Sequence, residues 1–290
     1  DHRDLHSFPT RRSSDLPEVA LKFLEKGDSL ASLLLKKDPS TALKTIWAAG
    51  KYNLGLTYGF MGKHEQELEI TYEVLPVIKE IRDTFQLANI YTNLGIKNIN
   101  LGDYSEARDN LVQGREIYRQ LGDPKEVTYN LIQLASVYKN LDSLGVAKRY
   151  LEQAKANLHR NYDPFDSFHY HLEKSQFDLE EDRPEQALSE LERSLALLPN
   201  DTLSLQYSLI VQRMAKIHSA MGNHAKAIKY IDRFIGNSEL RDDGIGVFKG
   251  YYQKSTYAAI AGKYKRAYAI LTKAIDVYDS VETQNGVKWK

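Results

Sequence analysis

The residues in this chain best suited to metal chemistry are two histidines and a glutamate that lie close together in sequence, His169, His171 and Glu173. Imidazole and carboxylate groups bind zinc when three or four of them converge on one ion. The surrounding sequence has helical periodicity, however, and residues two apart on a helix point about 200° away from each other. The two histidines therefore cannot share an ion. We interpret them as packing or surface residues and assign no metal ligand.

A glycine-rich segment and a pair of carboxylates are the other features that could support catalysis. Residues 244–250 (GIGVFKG) lack the GxGxxG spacing and the Gly-Lys-Ser/Thr ending of phosphate-binding loops, and no predicted strand precedes them. We interpret this segment as a linker. Glu180 and Glu181 lie beside a predicted turn, where solvated charge is their simplest role. No local serine, histidine and acid motif is present either, so the sequence indicates no catalytic residue, no cofactor and no enzyme.

The overall composition excludes several classes of function. Lysine plus arginine number 39, as do aspartate plus glutamate, so no long-range field favours nucleic acid or an anionic membrane. The chain has no cysteine, which excludes disulfides and thiolate sites but leaves the compartment open between cytoplasm and periplasm. The most apolar early stretch, residues 30–35, is far shorter than the roughly 20 residues that a membrane-spanning helix needs.

The elements that position these residues follow from an internal repeat of 40 residues. Columns at this spacing keep one kind of residue each, which is typical of repeat architectures. Turn-forming residues make up one column: Gly62, Gly102, Asp142, Asp182, Gly222 and Gly262. Alanine makes up another, interrupted only by Glu67 at its front: Ala107, Ala147, Ala187, Ala227 and Ala267. Small residues make up a third: Gly55, Gly95, Ala135, Ser175, Ala215 and Ser255. A fourth is mainly leucine: Thr71, Leu111, Leu151, Leu191, Ile231 and Leu271.

The spacing inside one repeat predicts a helical hairpin. The first helix carries the small residue and ends at the turn residue, and the second helix carries the alanine and the leucine one turn apart. Small side chains such as Gly95 and Ala107 let the two helix axes approach closely, and a larger one would cost roughly 1 to 3 kcal/mol through overpacking. A further column of aspartates lies between repeats, where each is expected to cap the next helix. These are Asp83, Asp123, Asp163 and Asp243.

The columns resemble the tetratricopeptide repeat, in which a Leu-Gly pair precedes a turn glycine and then an alanine. Matching segments include YNLGLTYGFMG at 52–62, TNLGIKNINLGDYSEA at 92–107, SAMGNHAKAIKYI at 219–231 and AGKYKRAYAIL at 261–271. The resemblance covers residues 48–287 and implies an all-α, right-handed α-α superhelix of six hairpins. The predicted repeats are 48–87, 88–127, 128–167, 168–207, 208–247 and 248–287. Since the usual unit is about 34 residues, these helices should be longer by about a turn.

Three departures from the repeat pattern carry their own expectations. Glu67 stands in the alanine column, and Pro76 lies inside a second helix, which it is expected to kink. Lys174 and Lys254 replace the leucine of the Leu-Gly pair.

In the family that the chain resembles, the first helices of successive hairpins line a concave groove that binds peptides or partner helices. The resemblance places the following residues there, together with His169: Tyr52, Asn89, Thr92, Ile96, Asn100, Tyr129, Ile132, Ser136, Lys139, Asn140, Leu172, Gln176, Gln212, Lys216 and Tyr252. Their amides and hydroxyls suit hydrogen bonds to an extended peptide backbone, and Ile96, Ile132 and Leu172 add apolar contact. The competing interpretation is an ordinary solvated inner surface.

Family members that hold the C-terminal carboxylate of a chaperone tail use a lysine and an asparagine at fixed groove columns. In this chain the required pair is absent from both columns. One column carries Tyr52, Thr92, Ile132, Leu172, Gln212 and Tyr252, and the other carries Leu56, Ile96, Ser136, Gln176, Lys216 and Thr256. We therefore predict no detectable binding of acidic chaperone-tail peptides.

The resemblance implies a protein- or peptide-binding scaffold or sensor module. Long units with LGDYSEA- and DSL-type turns look like the repeat regions of bacterial signalling proteins, which precede a membrane anchor and an output domain. The alternatives are a free-standing cytoplasmic peptide-responsive regulator or assembly adaptor and, from another class, an RNA-binding repeat protein. Zero net charge and only Lys139, Lys216 and Lys249 at groove columns disfavour RNA. The end surfaces of such a stack leave a homodimer open.

The two ends of the chain carry separate expectations. Residues 6–16 (HSFPTRRSSDL) resemble a translated sequencing adapter, so we treat residues 1–16 as a non-native or disordered tail. Residues 17–47 are helical in pattern but outside the repeat phase, and are predicted to form a partial N-terminal hairpin. Because the last repeat lacks an evident polar capping helix, we expect the chain to be part of a longer protein.

Overall fold

The computed structural model describes residues 15–198 and 204–284, and all regular structure within these ranges is helical. The helices in chain order are α1 (Asp15–Lys37), α2 (Thr41–Phe60), α3 (His64–Ile81), α4 (Thr84–Leu101), α5 (Tyr104–Leu121), α6 (Pro124–Asn140), α7 (Leu144–Arg160), α8 (Pro164–Glu180), α9 (Pro184–Ala196), α10 (Leu205–Ala220), α11 (His224–Leu240), α12 (Gly244–Ile260) and α13 (Tyr264–Gln284). Among the helices of residues 15–198 and 204–284, none combines the length and the hydropathy that a membrane span requires.

Consecutive helices pair as hairpins, which confirms the predicted all-α hairpin repeat. The pairs are α2 with α3, α4 with α5, α8 with α9, α10 with α11 and α12 with α13, and in the pair of α6 with α7 the Tyr138 and Tyr150 rings stack at 5.3 Å. The chain divides into two compact units, Asp1–Asn157 and Leu158–Lys290. In the first unit, α1 packs on α2 ahead of the hairpins.

The turn column behaves as predicted, because all six of its residues adopt the left-handed backbone conformation. Glycine, which has no Cβ, takes a φ of 75° to 81° at four of these positions. At the other two, Asp142 and Asp182 take φ values of 53° and 54°. A short polar side chain that bonds its local backbone tolerates this region better than most residues do. A sharp reversal therefore separates the two helices of every repeat.

The aspartates between repeats cap the helices that follow them. A carboxylate oxygen accepts the backbone N–H three residues later at Asp83, Asp123, Asp163 and Asp243, at distances of 3.0, 3.2, 3.0 and 2.8 Å. Ser40 and Ser204 take the same role at the starts of α2 and α10. Each cap satisfies a donor that the first helical turn leaves unpaired.

Close contact between the two helices of a hairpin explains the columns of small residues. A Cβ added to Gly95 would lie 2.5 Å from Leu111 Cγ and 3.2 Å from the Ala107 carbonyl oxygen. Real Cβ atoms do not approach so closely, so only glycine fits without movement of α5. Ala107 and Leu111 are themselves fully buried, which confirms that these columns form the interior of the hairpin.

Charge pairs stabilise the residues that depart from the repeat pattern. Glu67 contacts Gly59 in its own hairpin and forms an ion pair with Lys97 of the next one. Lys174 pairs with Asp178, and Lys254 Nζ lies 2.6 Å from Asp232 Oδ1. Helix α3 continues through Pro76 from His64 to Ile81.

The structure corrects the interpretation of residues 244–250 as a linker, because they form the first two turns of α12. The glycines are needed for close approach. A Cβ on Gly246 would lie 2.5 Å from Ser238 Oγ, and one on Gly250 would collide with Ile235. The cost of glycine in a helix, roughly 1 kcal/mol per residue relative to alanine, is offset here by tight packing of α11 on α12.

The helix bounds near the N-terminus differ by several residues from the predicted segment bounds. Asp15 and Leu16, assigned to the tail, already belong to α1, whereas residues 1–14 of that tail lie outside the described part of the chain. Residues 17–47 hold most of α1 and the start of α2, and these two helices pack against each other. The predicted repeat starts fall several residues inside the first helices, which begin earlier at their capping residues. The period of the columns determines the repeat length, but the cap determines where each helix starts.

Candidate functional site

The first helices of the hairpins carry the residues predicted to face a ligand, and four of these prove to be buried. Tyr52, Thr92 and Ile132 are buried in the first unit and Leu172 in the second. In this structure the four side chains therefore offer little surface to a ligand, and their contact with a peptide stays a prediction. Inside each unit, neighbouring first helices cover these positions: Tyr52 shares a cluster with Ile90 and Leu94 of α4, and Leu172 shares one with Met214 of α10. One hairpin alone did not show this packing.

Hydrogen bonds between these helices show what the buried column does instead. Thr92 Oγ1 on α4 donates to Asn130 Oδ1 on α6 at 3.1 Å, and both residues are buried. Asn93 donates its side-chain N–H to the Tyr52 hydroxyl on α2. Burial raises the pKa of Tyr52 to about 12, although the hydrogen bond with Asn93 opposes the shift. The phenol stays neutral at physiological pH, and the contacts are structural.

The other predicted residues remain partly or fully accessible. Half-buried members are Asn89, Ile96, Tyr129, Ser136, Lys139, Gln176 and Gln212. Exposed members are Asn100, Asn140, Lys216 and Tyr252. Some of them are already engaged: Tyr118 donates its hydroxyl to Asn89 Oδ1, and Asn140 Nδ2 donates to the Ser136 carbonyl at 2.8 Å.

A polar column that the sequence prediction missed lies one residue after the buried one. It consists of Asn53, Asn93 and Gln133 in the first unit and of Glu173, Arg213 and Gln253 in the second. We call the first-unit set the amide column. Asn53 is exposed, and Asn93 and Gln133 are half-buried. The signal was available in the sequence, because every repeat carries a polar side chain at this position.

The amide column can offer both donors and acceptors along successive first helices. A side-chain amide has a carbonyl oxygen and two N–H groups, which match the alternating groups of an extended backbone. Asn93 uses one N–H on Tyr52, and that bond holds its side chain in place. Asn53 and Gln133 lie on the first helices before and after it. The first unit therefore presents amides at regular repeat spacing.

The corresponding column of the second unit contains charge. Arg213 Nη1 donates to the Leu172 carbonyl at 3.0 Å, which links α10 to α8. Burial lowers the pKa of Arg213 below its usual value, and the charge of Glu173 opposes that shift. Gln212 Nε2 donates to Gln253 Oε1 at 3.2 Å and links α10 to α12. These contacts position the first helices of the unit.

The two histidines considered as metal ligands have different partners. The His169 ring lies 4.5 Å from the Phe165 ring and 5.0 Å from that of Phe168, and burial lowers its pKa to about 4. His171 Nδ1 lies 2.5 Å from Glu190 Oε2 on α9. They point apart, as helical spacing requires. Over residues 15–198 and 204–284, no three of the side chains that bind metals lie close enough to hold an ion.

No protein-family model matches this chain, and no curated protein matches it. Solved structures do. The Rap conjugation gene regulator of plasmid pLS20, in complex with the Phr* peptide, superposes with a TM-score of 0.64 at 12% identity, covering 83% of this chain and 76% of that one. The apo form of the quorum sensor NprR from B. thuringiensis gives 0.56 at 13% identity, covering 93% and 89%.

A third match comes from the STAND protein PH0952 of Pyrococcus horikoshii, which has a tetratricopeptide repeat sensor. Its TM-score is 0.56 at 17% identity, and the match covers 92% of this chain but 42% of that one. Identities this low show the fold alone. The chain has the hairpin fold of tetratricopeptide-repeat proteins.

Proposed function

We propose that this chain is a tetratricopeptide-repeat scaffold that binds an extended peptide, or an extended segment of a partner protein, along its first helices. The observation that carries the proposal is the amide column of the first unit. Asn53, Asn93 and Gln133 repeat with the hairpins, and Asn93 is held by Tyr52. Binding to backbone groups gives affinity with little dependence on ligand sequence, and neighbouring side chains then set specificity.

Accessible groove residues around the amide column would set that specificity. Ile96 and Tyr129 are half-buried and suit apolar or aromatic ligand side chains, whereas Asn100 and Asn140 are exposed at the ends of α4 and α6. Lys139 directly precedes Asn140 in the last turn of α6 and adds a positive charge there. We expect ligands of mixed polarity to be preferred over strongly charged ones.

We further propose that the chain acts in signal transduction as a sensor or regulator. Two solved proteins of the same fold support this by their described roles: one is a quorum sensor and the other a gene regulator in complex with a peptide. A bacterial signalling protein is the leading candidate, and a free-standing regulator or assembly adaptor is the alternative. Ligand-induced change in dimensions, measured by small-angle scattering, would favour a sensor over a rigid adaptor.

The test begins with selection of ligands from a displayed library of random heptapeptides, followed by calorimetric titration of a selected peptide. The variants Asn53→Ala and Gln133→Ala should each weaken binding roughly 5- to 30-fold, because each removes hydrogen bonds worth about 1 to 2 kcal/mol. Gln113→Ala is the matched control, since Gln113 is an exposed amide on the second helix α5. Unchanged affinity in both column variants would refute the assignment.

A further inference from the structure

One face of α13, called here its outer face, carries the exposed apolar side chains of Tyr264, Tyr268 and Ile275 beside the half-buried Leu271. Tyr264, Tyr268, Leu271 and Ile275 are spaced at i, i+4, i+7 and i+11, which places them on one side of the helix. Tyr268 is 75% exposed and Ile275 is 51% exposed. An adjacent side of α13 faces α12, where Ala274, Ile270 and Val277 pack with Val247 and Tyr251.

The same columns are covered one repeat earlier. In α11, Ile231 and Phe234 pack with Tyr257 of α12, and Ile228 packs against that cluster. Ile235, the residue equivalent to Ile275, is 4% exposed and packs with Val247 and Tyr251 of α12. The fold thus shows what kind of element fits this face, namely another helix that presents aliphatic and aromatic side chains.

The charges on α13 indicate which helix that is. Along one flank of the outer face, the N-terminal half carries Lys265 and the C-terminal half carries Asp276 and Asp279, whereas Arg266, two residues from Tyr268, points away from this face. Two copies of α13 placed antiparallel would oppose the basic half of each to the acidic half of the other, whereas a parallel arrangement would oppose like charges. Antiparallel helices also bring opposite ends of their dipoles together.

The apolar residues have the same two-fold relationship. Tyr268 and Ile275 are equally far in sequence from the midpoint between Leu271 and Thr272. A two-fold axis at that midpoint would pair Tyr268 of each copy with Ile275 of the other. Such self-complementarity is what a closed, isologous dimer requires, and tyrosine is enriched in interfaces of this kind.

We propose that the outer face of α13 pairs with the same face of a second copy of this chain, antiparallel about a two-fold axis between Leu271 and Thr272. The surface is distinct from the amide column, so the proposal stands apart from the proposed ligand. One helix per copy is a small interface, and the dimer should therefore dissociate on dilution.

The test is sedimentation equilibrium of the full chain over a wide concentration range. We expect the average mass to rise from that of one chain toward that of two and to stop there. Tyr268→Glu should raise the dissociation constant at least about tenfold, since it places a charge at the centre of an apolar contact. Leu240→Glu is the control, because Leu240 is 73% exposed on α11 and lies outside this face.

A charge exchange tests the antiparallel arrangement. Lys265→Glu should weaken the dimer several-fold at low salt, and adding Asp276→Lys in the same chain should restore it. A mass of one chain at every concentration, a mass beyond two chains, or equal effects of Tyr268→Glu and Leu240→Glu would each overturn the proposal. So would failure of the double variant to recover association. Circular dichroism checks that each variant keeps its helical content.

Discussion

Thr92 on α4 donates its hydroxyl to Asn130 on α6 at 3.1 Å, and both side chains are shielded from solvent. This bond joins the first helices of two successive hairpins. Asn130 also donates to the Glu126 carbonyl at 2.9 Å, so its side chain is held from both ends. The bond explains why a polar residue is present at a buried position of the stack.

Thr92→Val should lower the free energy of unfolding by about 1 to 3 kcal/mol. Valine has nearly the same shape as threonine, but it leaves the buried side-chain oxygen of Asn130 (Oδ1) without this donor. Urea unfolding followed by circular dichroism measures the effect. Thr45→Val is the control: Thr45 is exposed and bonds only the Thr41 carbonyl of its own helix in this structure. Equal losses of unfolding free energy in both variants would show that the Thr92–Asn130 bond stabilises the protein no more than a bond within one helix.

Gly95→Ala should destabilise the protein by roughly 1 to 3 kcal/mol. The added methyl would lie 2.5 Å from Leu111 Cγ, and α5 must shift to accept it. Gly145→Ala should have the opposite sign and add up to about 1 kcal/mol, since nothing lies within 4 Å of the new methyl and alanine favours the helix. Thermal unfolding of the two variants tests whether the first is less stable and the second more stable than the unchanged protein. A Gly95→Ala variant with unchanged stability would contradict the predicted collision with Leu111.

The stability of the second unit should depend on pH through His169. Burial lowers the pKa of His169 to about 4, whereas the unfolded chain titrates near its usual 6.5. Between these values the unfolded state binds the proton and the folded state does not. Stability is therefore fully present above about pH 6.5 and is lost as the pH falls toward 4, by an amount on the order of 2 to 3 kcal/mol.

Urea unfolding at pH 7.5 and pH 5.0 measures this dependence. His169→Gln should flatten it, and His159→Gln should leave it unchanged because His159 is exposed. If the unfolding free energy of His169→Gln falls between pH 7.5 and pH 5.0 as much as that of the unchanged protein, the pH dependence arises from other groups.

Peptides that end in an acidic chaperone tail should not bind. The two columns that would supply a lysine and an asparagine carry Tyr52 and Leu56 in the first repeat and Thr92 and Ile96 in the second, and Tyr52 and Thr92 are also buried. Fluorescence anisotropy with a labelled tail peptide provides the measurement. Saturable binding that disappears when the peptide carboxylate is amidated would contradict this prediction.

Local rules are sufficient to predict the repeat length, the turns and the helix caps of this chain. The 40-residue period, the turn at each of the six glycine or aspartate positions and the capping aspartates depend on residues only a few positions apart. Backbone sterics and the unpaired donors of a helix start act over the same short range. The contact of Gly95 with Leu111 also follows from the spacing inside one hairpin.

The accessible side of each first helix depends on packing between hairpins. Tyr52, Thr92, Ile132 and Leu172 suit a ligand-facing surface by residue type, yet contacts between successive first helices bury them. Residues 244–250 likewise look like a linker until the approach of Ile235 to Gly250 shows why glycine is tolerated in a helix. Exposure depends on neighbours about 40 residues away in the chain, and periodicity along one helix does not contain that information.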